Sequence, residues 1–238
     1  MSRPVLVPDI FDSKHIVVGF SLHDPQNPAA TNYSRMYEHG PRNQDALLAQ
    51  QTHADTTLIT ACQDHTDLVY VVEDQDLEVP TCDALVTKLP NVCLGVLVAD
   101  CAAILLHDPK AGVIAVVHSG WRGSAQNIIS TTVSAMTGLG ANPADCLVWI
   151  SPMAQATTYI VRNDVASQFN NDYTTPAQEP GEFYFDNKAV IADQLLRCGV
   201  PSSSIASSER NTMTEATLHS ARRDGAQSGR MLAFIGLL

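Results

Sequence analysis

The chain has 238 residues, of which 45% are hydrophobic and 16% charged, the balance of an ordinary globular protein. With 25 acidic against 14 basic residues its formal charge is −11, which argues against a nucleic-acid binder held by a basic face but leaves room for a small anion held by a local arginine cluster. No stretch approaches the ~18 apolar residues of a membrane span, and residues 1–20 lack the apolar core and cleavage site of a signal peptide, so a cytoplasmic protein without a membrane partner is expected.

Single α/β domains often reach roughly 200–250 residues, and with no linker or repeat in view residues 1–238 read as one domain. The elements follow in order. Residues 4–20 predict one or two strands, with His15 to Phe20 short and β-branched. The Pro- and Asn-rich stretch 21–32 reads as loop, and Asp45 to Gln50 as part of a short helix. Strands are expected at Thr56–Thr60 and Leu68–Val72, separated by a turn, CQDHTD, in which His65 with Asp64 and Asp67 could be imagined as a metal cluster but reads better as a solvated turn. Leu94–Ala99, Ala103–Leu106 and Gly112–Val117 are near-continuous apolar runs, as in strands covered on both faces, and predict neighbouring antiparallel strands over 94–117. Gly120 and Gly123 permit a sharp turn into a helix whose apolar face is Ala125, Ile128, Ile129, Thr132, Val133 and Met136, with Ser124 as N-cap. Strands follow at 146–150 and 157–161, then a short helix near Asn163, a helix from an Asp186 cap to Cys198 stopped by Gly199, and a closing strand MLAFIGLL.

Two of the apolar runs end on reactive side chains. LGVLVAD leads into Cys101 and GVIAVV into His118, 17 residues on. None of the six cysteines forms a CxxC pair, so the common zinc-ribbon and thioredoxin spacings are absent. A thiolate and imidazoles are good ligands for a borderline-soft metal, and His53, Cys101 and His118 would give a Cys-His-His set with one open position, as a catalytic zinc requires. The same thiol and imidazole could instead be a nucleophile and its base, and His53 taken alone could be a polar strand-end residue.

CDALVT (82–87), LGVLVADC (94–101), HDP (107–109), IAVVHSGWRG (114–123) and ARRD…SGRMLAFIGL (221–237) resemble the YfiH family, the laccase-domain or polyphenol-oxidase-like proteins also described as peptidoglycan-editing factors and purine nucleoside phosphorylases. The resemblance runs through residues 51–161 and 183–238. It implies an α/β (α+β type) fold, a single-domain αββα sandwich like that of cytotoxic necrotizing factor. It implies metal ligands at His53 of QTH, Cys101 of ADC and His118 of HSGWRG, with zinc as the ion and copper less favoured. It implies phosphorolysis of adenosine, inosine, guanosine or methylthioadenosine, with some adenosine deamination, by a monomer or weak homo-oligomer whose partners are nucleoside and phosphate.

In that reading Arg122 and one of Arg222, Arg223 or Arg230 hold phosphate, and Asp83 and Asp100 accept hydrogen bonds from the sugar or orient a ligand histidine, with Asp83 equally able to cap a turn. A metal-free Cys101–His118 hydrolase or amidase acting on cell-wall precursors, and a ligand-binding relative without turnover, are the alternatives. The departures from the family pattern favour change in the substrate walls: the N-terminal Arg-x-Gly-Gly segment is missing, Tyr33 follows Asn32 where the pattern has arginine, Ile160 stands for Glu, Asn211 for Cys, and LHSARRD for FFSYRRD.

Overall fold

The computed structural model describes residues 4–12, 15–52, 55–75 and 78–238. In chain order the elements are β1 (Val5–Leu6), β2 (Ile16–Ser21), α1 (Gly40–Gln51), β3 (Thr57–Thr60), β4 (Val69–Val71), β5 (Ala84–Thr87), β6 (Val92–Val98), β7 (Ala102–Asp108), β8 (Val113–Ser119), α2 (Trp121–Ala125) and α3 (Ile128–Gly138). They continue with β9 (Leu147–Ile150), β10 (Ile160–Arg162), α4 (Asn163–Ala166), β11 (Thr174–Pro176), β12 (Glu182–Phe185), α5 (Asn187–Arg197), β13 (Ile205–Ser207), α6 (Ala221–Asp224) and β14 (Met231–Leu237).

The strands form two large sheets, β1-β2-β14-β6-β3 and β13-β9-β7-β8-β5-β4, and a small one, β10-β12-β11. The two large sheets lie face to face. Alternate residues of β6 (Val92, Leu94, Val96, Val98) and β14 (Met231, Ala233, Ile235) meet Ala103, Leu105, Ile114 and Val116 of β7 and β8 in one buried cluster, and Phe20 of β2 meets Trp149 of β9 edge to face at 6.0 Å. The opposite side of the six-stranded sheet (Val86, Ile104, Leu106, Ala115, Val117) packs on Ile128, Ile129, Val133 and Met136 of α3 and on Ile191 and Leu195 of α5. The other side of the five-stranded sheet, through Cys93, Leu232 and Phe234, packs on Leu47 and Leu48 of α1. The layers are therefore α, β, β, α, as the resemblance implies.

Burial on both faces explains why the central strands are apolar without alternation. It also explains one departure from the expected arrangement. β7 and β8 form the predicted antiparallel hairpin, but β6 belongs to the other sheet. A continuous apolar run carries no mark of sheet membership. The chain changes sheet at the corner Ala99–Cys101, where Asp100 adopts φ +86, a left-handed conformation that few non-glycine residues take.

The expected helix after Gly123 is also divided. Asn127, at φ 62, breaks it into α2 and α3, so Ser124 is not its N-cap. Ser124 is instead buried, with its hydroxyl 2.9 Å from that of Ser119. The Asp186 cap is as predicted, accepting from the Ala189 N–H. No helix among the described residues is long and apolar enough to cross a membrane.

Candidate metal centre and its cavity

The spacing of Cys101 and His118 has a simple origin in the β7–β8 hairpin. Ala102 pairs with Ser119 and Ala103 with His118, so Cys101 emerges at the open end of the hairpin, opposite Gly120. The approach is close: a Cβ on Gly120 would lie 2.7 Å from Cys101 Sγ, so a larger residue there would displace the sulfur. The third group is His65. Its Nε2 is 4.0 Å from Cys101 Sγ, its ring meets that of His118 edge to face at 4.9 Å, and the ligand atoms of His65, Cys101 and His118 all lie within 4.8 Å of one another.

One buried carboxylate organises two members of this group. Asp83, wholly inaccessible at the start of β5, accepts from His118 Nδ1 at 2.7 Å and from the backbone N–H groups of Asp64, His65 and Thr66 as well as the Thr66 hydroxyl. It fixes the His118 ring so that Nε2 is the free nitrogen, and it shapes the loop carrying His65, which takes φ 59. The Gln63 side chain anchors the same loop by bonding both the N–H and the C=O of Leu97 on β6, at 2.8 Å each.

The electrostatics are those of a charge-separated pair. Burial opposes ionisation of Cys101, but the His118 charge and hydrogen bonds from His118 and His65 outweigh it and bring the thiol down to about 6. Burial would lower His118, yet the Cys101 thiolate and the bond to Asp83 raise it to about 9. Asp83 is held well below the usual carboxylate range, because hydrogen bonds from His118 and Thr66 more than offset its burial.

The cluster lies in a cavity of about 610 Å³ whose lining also includes Asp100, Tyr159 and the arginines Arg35, Arg222 and Arg230. Arg222 reaches over the Tyr159 ring at 5.6 Å. Several sequence expectations meet the geometry here. Cys101 and His118 come together as anticipated, while His53 lies outside the described residues. His65, read from sequence as part of a solvated turn, is exposed as that reading expects and also stands beside Cys101. The signal for it was a second Gln-x-His, Gln63-Asp64-His65, running like Gln51-Thr52-His53 into an apolar strand.

Asp83 is not among the residues lining the cavity, and its carboxylate faces His118 Nδ1. Asp100 lines the cavity, but its carboxylate accepts from the Thr212 hydroxyl at 2.6 Å and the Arg222 N–H at 2.7 Å, tying the Cys101 corner to α6. Arg122 stacks on its neighbour Trp121 at 4.3 Å and is not among the residues lining the cavity. The arginines that do line it are Arg35, Arg222 and Arg230.

The donor set suits a metal ion. Zinc bonded to sulfur at ~2.3 Å and nitrogen at ~2.0–2.1 Å in tetrahedral geometry sets its ligands roughly 3.5 Å apart, close to the observed Cys101–His65 separation of 4.0 Å. Three donors facing a cavity leave a fourth position to substrate.

The mixed α/β sandwich that carries this cluster is a fold that known proteins share. The family model described as multi-copper polyphenol oxidoreductase laccase matches residues 12–238, and the chain belongs to that laccase-like YfiH family. It is 38% identical over 161 residues to a purine nucleoside phosphorylase of Deinococcus radiodurans, the aligned part covering 65% of this chain and 61% of that protein, under two thirds of its length. It is 31% identical over 193 residues to adenosine deaminase RL5 from an unknown prokaryotic organism, covering 78% of this chain and 72% of that protein. The crystal structure of YlmD from Geobacillus stearothermophilus superposes with a TM-score of 0.87 at 28% identity, covering 100% of this chain and 97% of that one.

Proposed function

We propose that this protein is a zinc-dependent purine nucleoside phosphorylase whose metal ligands are His65, Cys101 and His118. The observation that carries the reading is the convergence of those three donor atoms within 4.8 Å inside the cavity. The names of the relatives direct it toward purine nucleosides, and a single three-donor cluster among the described residues suits one ion better than a multicopper centre.

In phosphorolysis a phosphate oxygen bonds the anomeric carbon as the glycosidic C–N bond breaks, and the departing purine nitrogen takes the electron pair and then a proton. A bound zinc supplies Lewis-acid stabilisation of charge that develops on the substrate. The residues of the chain prepare the rest. Asp83 holds His118 in one tautomer and one orientation and fixes the His65 loop. Cys101 contributes its sulfur as thiolate, the form the hydrogen-bonded imidazoles favour. Tyr159 lines the cavity with a phenol that burial and the Cys101 charge push up to about 12, so it stays protonated and able to donate a hydrogen bond, while its ring offers a face to a base.

The test is phosphate-dependent release of free purine from inosine or adenosine by zinc-loaded protein. The expected result is turnover that disappears in Cys101→Ala. Equal activity in the wild type and that variant, or none in either, contradicts the reading. The relative named adenosine deaminase supports deamination as an accompanying activity, measured as inosine formed from adenosine without phosphate. A metal-free cysteine hydrolase is the competing assignment, and purified protein with one tightly held zinc per chain counts against it.

A further inference from the structure

A second cavity, of about 560 Å³, shares no lining residue with that of the metal centre, yet the two follow one another along the chain: Arg222 and Arg230 line the first, Arg223 and Gly229 the second. Two imidazoles distinguish its wall. The rings of His23 and His219 lie 4.1 Å apart, inclined at 38°. His219 is buried and occupies the place where the family pattern FFSYRRD has its second Phe, so this chain keeps a ring there and makes it titratable. A Cβ on Gly229 would come within 2.5 Å of that ring, so the chain before β14 passes directly against it.

Both imidazoles hold one buried residue, Thr31. His219 Nε2 donates to its carbonyl at 3.1 Å, and His23 Nδ1 lies 3.3 Å from its hydroxyl, which also accepts from the Asp24 N–H at 3.0 Å. The hold passes on to the rim of the metal cavity. Asn32 Oδ1 accepts from the N–H groups of Ser34 and Arg230 at 3.0 and 3.2 Å, and the Tyr33 N–H donates to the Arg230 carbonyl at 3.1 Å. Ser34, Arg35 and Arg230 line that cavity. The charges facing the pair are Asp24 on its own loop, Arg223 and Asp224 of α6, and Arg230. Arg223 and Asp224 bond each other at 2.6 and 2.7 Å, and among the described residues no carboxylate bonds either imidazole. A proton on the pair is therefore placed against burial with no counter-ion bonded to it, and a second would set two like charges on rings 4.1 Å apart.

We propose that His23 and His219 form an acid-released latch, which fixes loop 23–35 and with it the rim of the metal cavity while both rings are neutral, and frees the loop when the pair is protonated. Burial brings His219 down to about 4 and lowers His23 as well. In an opened loop His219 returns to its ordinary 6.5, so the open form binds more protons between pH 6.5 and pH 4. The latch is at full strength above that interval and weakens as pH falls through it. It goes beyond the phosphorylase reading and holds for any substrate of the cavity.

The experiment is hydrogen exchange read by mass spectrometry on zinc-loaded full-length protein at pH 7 and pH 5, corrected for the intrinsic exchange rate at each pH, in the wild type, His219→Phe and His219→Gln. Phe keeps the stacked ring and Gln keeps a donor for the Thr31 carbonyl, and neither takes a proton; thermal melts at pH 7 confirm that each variant is folded. Protection of the amides of residues 23–35 should fall about 20-fold in the wild type from pH 7 to pH 5, the change that one group moving between 6.5 and about 4 produces. Most of that fall should be missing from both variants, while the amides of β7 and β8 stay protected in all three proteins. Zinc released at pH 5 would act on the three alike and leave the difference between them intact. A wild-type loop equally protected at both pH values, or one that opens as much in the two variants as in the wild type, overturns the latch. No activity is read, so the outcome is independent of whether the protein is a phosphorylase.

Discussion

Beneath the cavity, at the start of β5 between β8 and β4, Asp83 is wholly buried and accepts five hydrogen bonds, from His118, Asp64, His65 and Thr66. At the rim Arg35 and Arg222 are exposed, and Met36 is 99% accessible. In the floor, strand register places Cys101 and His118, and the loop that Asp83 holds places His65. The rim is assembled from the loop before α1, the stretch around Tyr159 and the segment 221–230, which meet only in the folded chain. The floor sets the chemistry, and the rim sets what is brought to it. A change in the floor should therefore alter stability, metal affinity and turnover together, whereas a change in the rim should alter substrate affinity alone.

The largest effect is expected from Asp83→Ala. It leaves His118 without its partner and several backbone N–H groups unsatisfied. Removing one partner of a buried charged pair costs about 3–5 kcal/mol, and loss of the group that orients a metal ligand lowers metal affinity about 10- to 100-fold. Denaturant melts and zinc competition with a chromophoric chelator measure the two losses, and a variant as stable and as tightly metallated as the wild type breaks the comparison.

Next in size is the pH dependence of the metal-free thiol. The folded value of Cys101, about 6, lies below its ordinary 9.0, so the thiolate is present above pH 6 and is lost as pH falls through it. His118, raised to about 9, keeps its positive charge across the interval between. The rate of alkylation of Cys101 by iodoacetamide should rise with a midpoint near pH 6 and then stay level toward pH 8. A midpoint near 9 shows that the imidazoles do not act on the sulfur.

The smallest effect belongs to the rim. Tyr159→Leu removes an aromatic face worth about 0.5–1.5 kcal/mol in a stacking contact, so KM for nucleoside should rise about 2- to 12-fold. Zinc content and melting temperature should not move. Loss of zinc in this variant contradicts the division between floor and rim.

The same division governs what could be read from the sequence. The hairpin of β7 and β8, the helix capped by Asp186 and the closing strand follow from apolar runs and cap residues, which are local signals. The pairing of Cys101 with His118 follows from strands of equal length ending together. Membership of β6 in the other sheet was hidden, because strands buried on both faces look alike whichever sheet holds them. The roles of Asp83 and Asp100 were hidden for a different reason: a carboxylate next to a strand end is the same in sequence whether it faces a ligand or a backbone N–H. His65 was read as solvent-facing because Asp64 and Asp67 surround it, and it is exposed, but nothing local in the sequence marks its approach to Cys101, on a loop that Asp83 holds from 18 residues away. Arg35 carried no local mark, since only the folded chain brings it to Arg222 and Arg230.

The central claim, that one metal ion is held by His65 with Cys101 and His118, is tested most directly by measuring zinc per chain in His65→Ala and His53→Ala prepared alongside the wild type. The account predicts one zinc in the wild type and in His53→Ala, and loss of most of it in His65→Ala. Zinc retained in His65→Ala and lost in His53→Ala would contradict it.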